Sequence, residues 1–169
     1  MMRTRSLAIA TAGCLVLMTA CASEQAASTG AGTPLDAITG KSWRLERAWL
    51  VSMHVPSADV DKVLAAAVAA VGLEYGKYDQ VAYIDAPGLE QFRPLEGSKA
   101  GAQAAAGRAP TTNVTFSIPR DPAVLQKALD AICAAHSYEE PVIYVSEVWR
   151  TRATNPDDPN PNRWWNRDR

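Results

Sequence analysis

Gly76-Lys77-Tyr78-Asp79-Gln80-Val81-Ala82-Tyr83, Phe92-Arg93-Pro94-Leu95-Glu96-Gly97 and His136-Ser137-Tyr138-Glu139-Glu140-Pro141 are the segments on which the fold turns. Upstream, Trp43 to Val55 alternates, with Trp49, Val51, Met53 and Val55 on one face and Ala48, Leu50, Ser52 and His54 on the other. That period of two is a strand's, and two largely apolar faces suit a central strand covered on both sides. Pro56 ends it, Ser57 or Asp59 can cap the next element, and Val60, Val63, Leu64, Ala67, Val68 and Val71 recur at helical spacing before Gly72. Gln80 to Ala86 and Gln91 to Leu95 read as a hairpin around Pro87-Gly88, and Glu96 to Pro110 as a loop of small residues. Thr112 to Ile118 alternates again, and Asp121-Pro122 starts a second helix whose buried face is Leu125, Ala128, Leu129, Ile132 and Cys133. Val142 to Trp149 is the last strand. The order is βαββαβ with an extra hairpin, an α+β, ferredoxin-like two-layer sandwich.

In this order the three segments resemble the CutA-like domain inserted in the NGG-one-interacting-factor-three proteins, whose closing signature is His-Pro-Tyr-Glu-Glu-Pro. The resemblance covers roughly Leu50 to Trp149, with Ser137 where that family has proline. It implies a CutA/PII-like fold and assembly into a homotrimer, and it brings a divalent metal ion, copper or zinc, into consideration. The hydrolase chemistry of the parent family belongs to flanking domains absent from this sequence, so no enzyme activity is implied.

The ends of the chain speak of export. Arg3 and Arg5 precede an apolar run from Leu7 to Met18, which makes residues 1–20 a signal peptide too short for a membrane span. Met18-Thr19-Ala20-Cys21 is a lipobox-like context, so Cys21 is the expected lipidation site, carrying palmitate-type acyl chains and tying the protein to a membrane. An ordinary cleaved signal is the alternative. Residues 21–41 are small and polar, a flexible tether. Ala22, in place of aspartate, favours the outer membrane, facing the periplasm. Seventeen basic residues less Arg3 and Arg5 leave 15 against 18 acidic ones, a formal charge of −3 that gives no basic footprint for nucleic acid. With Cys14 in the signal and Cys21 lipidated, Cys133 has no disulfide partner. Residues 42–150 form the domain, and residues 151–169 an extended tail whose Trp164-Trp165 pair needs a surface: its own domain, a neighbouring subunit or a membrane.

The chemistry-bearing residues are few. The mature chain has two histidines, and His136 with Glu139, Glu140 and His54 forms a candidate set for a divalent cation; a helix-end histidine is the plainer reading. Cys133 is either a soft ligand or a small hydrophobe. Arg93 with Lys77, Lys99 and Tyr78 could rim a cleft for a small anion, or Arg93 could pair with Glu139 or Glu140. No nucleophile stands beside an evident base, and the glycines at 97, 101 and 107 do not form a phosphate loop. The sequence therefore points to a non-enzymatic envelope lipoprotein that binds a small ligand or metal, or else to a structural one whose ring presents loops and tail to a protein partner.

Overall fold

The computed structural model describes residues 34–155 and 158–167. The signal peptide, Cys21 and most of the tether lie outside them. Five strands and two helices follow the order β1 (Trp43–Pro56), α1 (Val60–Val71), β2 (Tyr83–Ile84), β3 (Gly88–Phe92), β4 (Gly107–Pro119), α2 (Pro122–Ala135) and β5 (Ile143–Ala153). The sheet is antiparallel, with β1 between β4 and β5. This is the expected α+β, ferredoxin-like two-layer sandwich.

Alternation along β1 decides where the core lies. Val51, Met53 and Val55 are fully buried on the helix-covered face, with Val114, Phe116 and Ile118 of β4 beside them. From the helices, Val63 and Ala67 of α1 and Ala128 and Ile132 of α2 complete this cluster. Each such side chain contributes roughly 1.5–3 kcal/mol when its full apolar surface leaves water. The other face of β1 carries Leu50, Ser52 and His54, all partly exposed. No helix covers it; Ser52 of β1 donates to Asn113 of β4 at 2.7 Å, and Asn113 donates to Asp85, just after β2, at 2.8 Å.

Several local expectations change. Residues 80–95 do not form a hairpin: β2 and β3 both pair with β4, one after the other, as a single edge strand broken at Pro87. Proline cannot donate to a ladder, so the chain steps away there and re-enters at Gly88. β4 begins at Gly107, which takes the end of the expected loop into the sheet. Asp59 stands at the N-cap of α1 but does not cap it; its carboxyl pKa is held below the usual value first by the Ser137 hydroxyl and then by Lys62, 3.3 Å away. Asp121 does cap α2, accepting from Ala123 N at 2.7 Å. Cys133 is exposed and not part of the buried face, because it stands about 100° around the helix from buried Ile132. The tail is not wholly extended either: β5 runs to Ala153, and Trp164–Asn166 is a 3-10 turn.

Candidate functional site

The close of α2 organises the site. His136 is the C-cap residue, and its backbone N–H bonds to Ile132 O at 2.9 Å. Its ring is buried, with Nδ1 accepting from the N–H of Tyr138 at 3.0 Å and Nε2 2.9 Å from the carbonyl of His54. An Nδ1 that accepts leaves the proton on Nε2, which therefore donates to His54 O. The amide of His54 in turn bonds to Val142 O at 2.9 Å. The segment after α2 is thus tied to β1 at two points, and Tyr138 projects from between them.

Tyr138 lies over the start of the long loop. Its ring centroid is 5.2 Å from that of His136 and 6.3 Å from that of Phe92, and its hydroxyl is 3.4 Å from Thr111 Oγ1. From β3 the chain runs through Arg93 and Pro94 to Lys99, whose backbone N–H donates to Glu139 Oε2 at 2.9 Å. That bond joins the loop to the turn after α2 and encloses a cleft of about 810 Å³. Phe92, Leu95 and Tyr138 give it apolar walls, while Glu96, Glu139 and Glu140 outnumber Arg93 and Lys99 at the rim. The hydroxyl of Ser98, on the cleft wall, is sealed from solvent without a protein partner.

A second hollow of about 450 Å³ adjoins it, with Glu90 in both walls. Here His54 Nδ1 is 3.1 Å from Glu90 Oε1, and the edge of its ring meets Tyr144 at 5.8 Å between centroids. His136 and His54 are therefore both engaged within the chain. Among the described residues no group of three or more His, Cys, Asp or Glu side chains is placed to hold a metal ion. The four candidate ligands thus do not gather on one point, and coordination by His136 requires breaking one of its two bonds.

The candidate anion rim is likewise divided. Arg93 borders the cleft, but Lys77 and Tyr78 belong to a turn closed by Tyr75 and Tyr78, away from its walls. Arg93 does not pair with Glu139 or Glu140; its Nη1 points to Gln103 O at 3.5 Å. Glu90, Ser98 and Thr111 went unnoticed as site residues. A signal for Glu90 existed, since it alternates in phase with Phe92 along β3.

No family model and no curated protein matches the chain. Among solved structures, a Bacillus cereus protein related to NIF3 is 22% identical with a TM-score of 0.52, over 66% of this chain and 27% of that one. The chain thus spans about a quarter of that protein's length, and the likeness defines the fold. The divalent ion tolerance protein CutA1 of Ehrlichia chaffeensis is 14% identical with a TM-score of 0.45, over 66% of this chain and 85% of the other. A nitrogen regulatory PII-like protein, CPII from Thiomonas intermedia K12, is 11% identical with a TM-score of 0.42, over 63% and 96%.

Proposed function

We propose that this chain is a non-enzymatic module of a bacterial cell envelope, a relative of the inserted CutA-like domain, that binds a small organic ligand between the loop at 92–100 and the turn at 137–142. The observation that carries this is the cleft itself. Its size lies in the range of small-molecule sites, about 300–1,000 Å³, and two of the three segments that carry the sequence resemblance build its walls. Aromatic walls supply contact area, and the rim charges supply direction. In this reading Cys21 carries the lipid, the domain faces the periplasm from the outer membrane, and three copies assemble into a ring.

A thermal-shift screen of the lipidated protein in detergent tests the cleft, using amino acids, nucleotides, polyamines and sugars, with zinc and copper alongside. One organic class should raise Tm in the wild type and fail to do so in Tyr138→Ala. If metal alone shifts Tm and His136→Ala removes the effect, the organic-ligand reading falls and the metal reading takes its place. No shift with any probe would leave the second reading, a structural lipoprotein. That reading draws support from the tail, where Trp164 is 70% exposed on a turn fixed by Arg163 and Asn166 around Asp158.

A further inference from the structure

On the uncovered sheet face, the register of β1 with β5 sets Glu46 opposite Arg150 and Arg44 opposite Arg152. Three guanidinium groups then share one carboxylate. Arg150 Nε is 2.9 Å and Arg152 Nε 3.3 Å from Glu46 Oε1, while Arg44 Nη2 is 4.0 Å from Oε2. One negative charge among three positive ones leaves a local excess of two. The ring of Tyr75 lies over Arg150 at 5.2 Å and over Arg152 at 5.7 Å, and its hydroxyl is pinned to Thr151 O at 2.6 Å. An aromatic face attracts cations but accepts no proton in the manner of an anion, so the excess remains. On the adjoining turn Glu74, Lys77 and Asp79 are all exposed and together add one negative charge, which leaves a net excess of one.

The three arginines are not equivalent. Arg150 is nearly buried and is satisfied as well by Ser117, whose carbonyl and hydroxyl accept from Nη1 at 3.1 and 2.9 Å. Arg152 Nη1, by contrast, is sealed from solvent with no acceptor, and Arg44 stands 58% exposed at the mouth of the cluster. Beside Arg152 Nη1 lies the backbone of Gly76, where a Cβ would come within 3.9 Å of that nitrogen and meet nothing else inside 4 Å. The Arg152 side chain as a whole is 24% exposed, so the seal lies at that nitrogen and not over the whole guanidinium.

We propose that Arg44 and Arg152, held by Glu46, Arg150 and the Tyr75 ring, form a binding site for a small oxyanion of the phosphate class. The anion neutralises the excess charge, pairing with exposed Arg44 and with the exposed part of the Arg152 guanidinium. Guanidinium groups suit this task because their planar N–H forks meet two oxygens at once. This site is separate from the cleft at Phe92 and Tyr138 and does not depend on what that cleft binds.

Titration of the full mature protein with inorganic phosphate, against sodium chloride of equal ionic strength, tests it. A saturable rise in Tm should appear in the low millimolar range, and calorimetry should give a matching Kd. Phosphate also stabilises proteins by exclusion from their surface, but that effect does not saturate and survives in variants. Arg152→Met and Arg44→Gln should each weaken phosphate about tenfold or more, the equivalent of one charge-assisted hydrogen bond. Arg44 is exposed, so its variant reads the site even where Arg152→Met fails to fold. Tyr138→Ala should leave phosphate affinity unchanged. Equal response to phosphate and chloride in the wild type, or wild-type phosphate affinity in Arg44→Gln, overturns the proposal.

Discussion

Replacing His136 by alanine is the sharpest test of how the cleft is held. The substitution removes an Nε2–H donor from His54 O and an Nδ1 acceptor from Tyr138 N–H, bonds of 2.9 and 3.0 Å at a residue only 8% exposed. A buried polar group left without its partner costs about 1–3 kcal/mol. Tyr138 is half-buried and regains water for its N–H, so its share falls at the low end. With the lost packing of the ring, the expected destabilisation is about 2–4 kcal/mol. Urea denaturation followed by circular dichroism reads this directly: at a slope of about 1.5 kcal/mol/M, the midpoint drops by about 1.5–2.5 M with the slope unchanged. His136→Gln, whose amide can still donate to His54 O, should recover about half. A loss below about 1 kcal/mol for alanine would refute the reasoning, because the tie between α2 and β1 would then not be what positions Tyr138.

Other consequences are as specific. Ile132→Ala, at a fully buried core position, should cost about 2–5 kcal/mol by the same assay. Gly72→Ala places a side chain at φ +73° where its Cβ meets only Glu74, so the cost is that of the backbone alone, about 1 kcal/mol, read as a lowered urea midpoint. The Asp158 carboxyl is held below the usual carboxylate range by Arg163 first, then by the N–H of Asn160 and by Ser42. A depressed folded-state pKa means stabilisation that is complete above the unfolded value of about 3.9 and lost as pH falls from there through the lower folded-state value. Tryptophan emission from the Trp164–Trp165 turn should therefore change below about pH 4, whereas Asp158→Asn should show the acid-state spectrum already at neutral pH.

What the sequence disclosed was local, and what it concealed depended on distant pairing. The α1 boundaries were legible because valine and alanine recur at helical spacing up to Gly72, and Asp121-Pro122 announced α2 through a cap the structure contains. The expected hairpin failed for the opposite reason: whether β2 pairs with β3 or with β4 is settled by β4, some thirty residues further on, and not by the turn signal between them. His136 was recognised as a residue of interest, but its occupation by His54 O depends on a contact across 82 positions. The arginine cluster was invisible for the same cause, since Glu46 and Arg150 stand 104 positions apart and only strand register unites them. Cys133 shows the limit of reading a helical face from spacing when neighbours on both sides are small and apolar.

The break at Pro87 leaves the sheet with unequal edges. On one side β5 offers eleven continuous residues; on the other, β2 and β3 offer two and five, separated by a proline. Symmetry follows from which edges meet. If β5 adds to β5 of a second copy, the contact is twofold, consumes the long edge of both chains and stops at two. If β5 instead meets the short β3 edge, each copy keeps one edge of each kind, and the assembly is head-to-tail. It then closes as a ring when the rotation per copy divides the circle, and grows as a filament when it does not. A proline in the middle of an edge strand thus bears on how many chains an assembly can contain.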